Sequence, residues 1–303
     1  MRPRLTARPH EGKRSMLWLQ VLVNGLAVGG LYACIAVGFS IVWGVLNIIN
    51  ILHGSLIVLG GYLAFFAHQY WGISPFLFAP FAGAILFVLG VGLQALVINH
   101  VMTRPFLITL LLTFGLNLFL DNSMLAMFSA DYRKVLLDPP LGVFELGSIV
   151  VPADRIYATL IGLTLVGLLS LLLRFTQLGR AIIAVRMDRD AAALLGINVR
   201  WTYALAFGLG VFMAGSAGAL LSAIFPISPV ASAGYLSKAF VICVLGGLGS
   251  IPGAVIGGFA LGVIESFGAL FLGPEHALTL AFILLVVLLA VRPSGLLGKR
   301  GFA

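Results

Sequence analysis

From Ser15 to Thr103 the sequence holds no aspartate, glutamate, lysine or arginine, and only 9% of its 303 residues are charged. A water-soluble domain covers itself with charge, so a run this long without any excludes one. Cysteine is nearly absent too. Cys34 and Cys243 lie in apolar surroundings without a C-x-x-C partner, which leaves no disulfide framework and no thiolate metal centre, and both read as small hydrophobes. There is no G-x-x-x-x-G-K-[ST] phosphate loop, because Gly12-Lys13 and Gly298-Lys299 lack the rest of the motif. Paired carboxylates, a Ser/His set and metal-spaced ligands are missing as well, so an intramembrane enzyme finds no support, and neither a cofactor nor a metal is expected.

What the chain has is apolar length: 61% hydrophobic residues and a mean hydropathy of +1.13. A membrane-spanning helix needs ~20 apolar residues, and lipid cannot satisfy free backbone groups, so such runs must be helices or protein-covered breaks between them. The fold class is all-α, a polytopic helical membrane protein of about eight spans. Residues 1–15 read as an irregular basic tail and 16–300 as one transmembrane domain. The net charge of +8 would suit nucleic acid, but the basic residues gather at the two ends and in 174–200. That distribution fits water-facing loops beside anionic lipid, so lipid is the expected neighbour and nucleic acid is not.

The first apolar block, Leu17 to Val45, carries Gly25 and Gly29 in G-x-x-x-G spacing, the pattern of a closely packed interior span. Then Asn47, Asn50, His53, Gly54 and Ser55 interrupt apolar sequence. They read either as helix-to-helix hydrogen bonding with a kink at Gly54 or as a broken helix lining a polar path. Spans follow at 56–66 (or to Tyr70), 75–98 and 106–128. In the last of these Asp121 reads as lying near the membrane end rather than paired inside the bundle. Residues 129–155 mix both signs of charge, contain strand-like pieces such as Val143-Phe-Glu-Leu, and form the candidate external loop. After a span at 156–173 and the basic stretch, 201–225 repeats the small-residue stripe with Gly210, Ala214 and Gly218. Gly246, Gly247, Gly249, Ser250, Pro252 and Gly253 cannot sustain a helix, so a second break is expected at 246–253, paired with the first near 46–55. Paired breaks in two halves point to a substrate path, to which Glu265 is added.

The segment 174–200 holds five arginines and two aspartates. At helical spacing Ala184, Met187, Ala191, Leu194 and Leu195 form one face while Arg186, Arg189 and Asp190 form another, which predicts an amphipathic helix of about four turns. Gly196 and Asn198 suit its end. It is either a solvated basic loop or a dock for a cytoplasmic partner. If it and the basic C-terminal end share one side, four crossings must separate them, which requires the short 237–248 piece to cross. Five crossings precede it, so either the N-terminal tail is external or 17–53 does something other than cross once.

Four pieces in order, Asn50-Ile-Leu-His-Gly54, Gly179-Arg-Ala with Asp190-Ala-Ala-Ala-Leu-Leu-Gly-Ile-Asn198, Val244-Leu-Gly-Gly-Leu-Gly-Ser-Ile-Pro-Gly253 and Arg292-Pro-Ser-Gly-Leu-Leu-Gly298, resemble the permease subunits of bacterial branched-chain amino-acid ABC importers. The likeness runs from about residue 18 to 300. It departs at Ile51-Leu52-His53, where the family usually has Phe-Ala-His, and at the shortened link Thr103-Arg104-Pro105; related permeases carry urea and short amides. The resemblance implies a multi-pass inner-membrane subunit working with a second related permease, two cytoplasmic ATPases and a periplasmic solute-binding protein. ATP would be hydrolysed by those partners, and 186–198 would be the coupling element, with Arg186, Asp188, Arg189, Asp190, Leu194, Leu195, Gly196 and Asn198 as contact residues. A rival expectation from the residues alone is an ion-coupled secondary transporter or channel using Glu265, Lys238 or Asp121.

Overall fold

The computed structural model describes residues 10–102, 104–147, 149–292 and 295–297. The chain is a helical bundle: α1 (His10–Leu46), α2 (His53–Trp71), α3 (Pro75–Leu96), α4 (Phe106–Phe128), α5 (Ala153–Phe175), α6 (Gln177–Met187), α7 (Arg189–Leu194), α8 (Val199–Ile224), α9 (Ser232–Gly246), α10 (Ile251–Leu272) and α11 (Ala277–Val291). One hairpin, β1 (Val143–Leu146) against β2 (Ile149–Pro152), is antiparallel. Eight helical stretches among the described residues are long and apolar enough to cross a membrane. α2 is not one of them, because His53, Ser55, His68 and Gln69 load its two ends with polar groups.

Two buried helices, α1 and α8, form the centre. Burying apolar surface gives helices little drive to associate in lipid, so close backbone approach has to supply the contact. The small residues do this. A Cβ added at Gly258 of α10 would meet the backbone of Ala33 at 2.5 Å. α10 therefore runs antiparallel along α1, where its Gly262 also faces Gly25. In α8, Gly210 packs on Gly38 of α1 and Gly218 on Ile57 of α2, so both expected stripes are used as packing faces.

The two ends of the bundle can be told apart. Gln20 near the start of α1 makes two hydrogen bonds to Val150 of the hairpin, at 2.6 and 2.9 Å. Gly44 near the other end of α1 lies beside Gly249 and Arg186. After the arginine-rich segment, α8, α9, α10 and α11 make four passes, and Leu296 and Leu297 bond back to Leu245 and Gly246 at the arginine end. The short piece is a helix from Ser232 that reaches that end. α1 to α5 precede the segment, and the Gln20 contacts put the start of α1 at the opposite end, with the hairpin. Residues 1–9 of the basic tail, like 298–303, lie outside the described residues. From His10 the backbone is helical, so residues 10–15 of the expected irregular tail belong to α1.

Candidate functional site

The helical ladder stops at Leu46 and resumes at His53. Between them Asn47 holds a positive φ of 54°, a conformation asparagine tolerates better than most residues. The break turns the chain back into the bundle, because His53 Nε2 is 3.1 Å from the carbonyl oxygen of Ile35 and its ring stands edge-on to Phe39. Gly54 then lies so close to α9 that an added Cβ would collide with the Ser232 carbonyl oxygen. The first turn of α2 has no side-chain cap.

Facing this break is a polar stripe on α4 at four-residue spacing. Thr113 Oγ1 donates to the Ile49 carbonyl at 3.1 Å. One turn on, Asn117 Nδ2 donates to Asp121 Oδ2 at 3.1 Å. Ser55 Oγ is 2.5 Å from Asn117 Oδ1 and 2.7 Å from Asp121 Oδ1, and Ser232 Oγ donates to Asp121 Oδ2 at 2.8 Å. The expectation that Asp121 lies near a membrane end is therefore corrected: it is paired inside the bundle. Ser55 belongs to the first turn of α2 and Ser232 is the first residue of α9, so two helix N-termini converge on this carboxylate. Each helix presents about half a positive charge there, which is why an anion is tolerated without a cation. Asn50, fully buried in the break, has both side-chain amide atoms unpartnered, and His53 Nδ1 is unpartnered as well.

The second break is of another kind. α9 ends at Gly246, α10 begins at Ile251, and Gly247 and Gly249 take φ of 103° and 74°, values open to glycine at little cost. Ser250 caps α10 by accepting from Gly253 N at 3.1 Å. This turn packs on Gly44, nine residues along α1 from Ile35, so it lies about 13 Å of helix rise from the His53 contact at which the first break ends. Of the residues expected to line one path, Asn50, His53, Gly54 and Ser55 belong to the part of the break that turns inward, Asn47 is exposed at its start, three residues past Gly44, and Gly246, Gly247, Gly249 and Ser250 gather at the arginine end. Glu265 lies in neither group. Its Oε1 pairs with Lys238 Nζ at 2.6 Å and its Oε2 accepts from Tyr32 Oη at 2.5 Å. Lys238 also donates to Tyr32 Oη at 2.8 Å.

In the arginine-rich segment the expected single helix is two helices. Asp188 leaves the helical conformation (φ −158°, ψ 110°) and its Oδ1 accepts from Asp190 N and Ala191 N, capping α7. An aspartate satisfies two orphan N–H groups better at such a cap than in a helix interior, which is the physical reason for the division. The apolar face is corrected too: Gly179, Ile182, Val185 and Ala192 face the bundle, while Met187, Leu194 and Leu195 are 82%, 90% and 80% exposed. Gly196 ends α7 with a φ of 82°, and Asn198 begins the next element, accepting from Trp201 N to cap α8. The Arg189–Asp190 contact at 3.3 Å is exposed, so it adds little stability. The Arg186 guanidinium lies over the turn, its Nη2 3.1 Å from where a Cβ on Gly249 would stand.

Thr113, Asn117 and Ser232 join the site without having been expected there. The only signal for the first two was their spacing with Asp121. Among the described residues no group of three or more His, Cys, Asp or Glu could hold a metal ion.

The family described as "Branched-chain amino acid transport system / permease component" matches residues 21–291. The chain belongs to this permease family. The permease is 36% identical to the high-affinity branched-chain amino acid transport system permease protein BraD of Pseudomonas aeruginosa, over 93% of this chain and 96% of the relative. It is 34% identical to the permease protein LivH of Escherichia coli K12, over 94% and 96%. A second permease protein of that organism, LivM, is 27% identical over 88% of this chain and 68% of its own length. No solved structure matches the permease. It is a multi-pass membrane transport subunit and not an enzyme.

Proposed function

We propose that this chain is the permease subunit of an ATP-binding-cassette importer in the bacterial inner membrane, carrying branched-chain amino acids. It works beside a second related permease, with one of two cytoplasmic ATPases docked on 186–198 and a periplasmic solute-binding protein at the hairpin end. The carrying observation is the apolar patch of Met187, Leu194 and Leu195, held out of the bundle by two short capped helices and ringed by Arg186, Arg189 and Asp190. Large exposed apolar side chains among charges mark a protein-binding surface. The presence of two related permeases in one organism supports the pairing.

Asn47, Asn50, His53, Gly54 and Ser55 line the path in this reading, since unpartnered amide and imidazole atoms at mid-bundle find partners in a polar solute. The turn with Gly246, Gly247, Gly249 and Ser250 is the joint through which Arg186 passes ATPase motion to α1 and α10. Glu265 supports the bundle beside the path.

Purification of the chain with its neighbouring gene products tests the assembly. Both ATPases and the second permease should co-purify, and reversal of charge at Arg189 and Asp190 together should remove the ATPases while leaving membrane insertion intact. Normal ATPase recovery with that variant would refute the dock.

A further inference from the structure

The carboxylate of Asp121 has no cation within ion-pair distance among the described residues. Its hydrogen bonds fall unevenly on the two oxygens. Oδ2 accepts from Asn117 and Ser232, whereas Oδ1 has only the Ser55 hydroxyl, whose single proton is shared with Asn117 Oδ1. A carboxylate oxygen accepts about two hydrogen bonds, so Oδ1 keeps an open position. The residue is also only partly buried. Charge in a membrane bundle without a countercharge marks a functional site. Among the described residues Asn50, elsewhere in the break, is completely buried with its donor and acceptor both unused, and the neighbouring carbonyl of Ile49 is held by Thr113, two turns before Asp121 on α4. Buried amides are rarely left without partners.

We propose that Asp121 is a specificity-determining subsite that receives the primary ammonium group of the transported amino acid at Oδ1. Ser55, Asn117 and Ser232 orient the carboxylate. The inference rests on the function above, and it adds a preference for solutes carrying a positive amine over uncharged amides. A neutral amide solute offers the carboxylate only a neutral hydrogen bond, whereas the ammonium of a zwitterion makes a charge-assisted one.

The test uses the whole complex in proteoliposomes with its leucine-loaded binding protein, measuring leucine uptake and ATP hydrolysis together. Asp121→Asn keeps the shape and removes the charge. Leucine moved per ATP hydrolysed should fall about tenfold or more, the loss expected for a hydrogen bond to a charged group, while yield of the complex and its stimulated ATPase activity stay within about twofold. Asp121→Glu should restore part of the uptake. An unchanged ratio of leucine to ATP, or uptake and ATPase activity falling in proportion, overturns the subsite while wild-type leucine uptake still upholds the function. If the wild-type complex carries only uncharged amides, both readings fall.

Discussion

Lys238 of α9 and Glu265 of α10 form an ion pair at 2.6 Å, and Tyr32 of α1 bonds to both members. Three helices meet there with one positive and one negative charge, so the pair balances itself and needs no travelling ion. The ammonium also lies 4.8 Å from the centre of the Tyr32 ring, a cation–π distance.

Because the partners are mostly buried, Lys238→Met or Glu265→Gln alone should cost about 3 kcal/mol, since each leaves a charge stranded. The double variant should cost clearly less than the sum of the two. Thermal unfolding of the detergent-solubilised chain measures this, and additive losses would show that the two residues do not act as a unit.

Leu194 and Leu195 touch almost nothing in the chain. Replacing both with serine should change its stability by less than about 0.5 kcal/mol, yet abolish recovery of the ATPases in a pull-down. A variant that keeps its ATPases would relocate the dock.

At Gly54 even a methyl group collides with the Ser232 carbonyl. Gly54→Leu should cost about 1–3 kcal/mol or more and separate the α2 and α9 ends that hold Asp121. Uptake should fall along with the melting temperature, and a variant with normal stability would mean the contact yields readily.

Asn50 separates structural from functional use. A buried amide with no partners is a burden to the fold, so Asn50→Leu should leave the melting temperature unchanged or higher. Uptake should nevertheless drop about tenfold or more if the amide meets the solute. Undiminished transport would remove Asn50 from the path.

The order of helices was legible because apolar length decides it in a membrane, and both breaks were legible from Asn47 to Gly54 and from Gly246 to Gly253, where composition cannot sustain a helix. What the sequence hid was tertiary. Asp121, followed by Asn122 and Ser123, looks like the edge of a polar loop; only the packing of α4 on the starts of α2 and α9 makes it an interior anion. The two breaks look alike in composition, yet one turns back at mid-bundle and the other closes a turn at its end, a difference set by how Gly54 meets Ser232 and Gly249 meets Gly44. In 174–200 the spacing alone predicts one helix and gives no sign of the division at Asp188. Its side chain bonds to Asp190 and Ala191, and the apolar face changes with it.

The central claim is that transport through this permease is driven by ATP hydrolysed in partner subunits. Leucine uptake by proteoliposomes holding the full complex and its binding protein tests it most directly, with internal ATP compared against an ion gradient alone. Accumulation with ATP and none with the gradient is the predicted result. Gradient-driven accumulation by the purified chain without its partners would contradict the account.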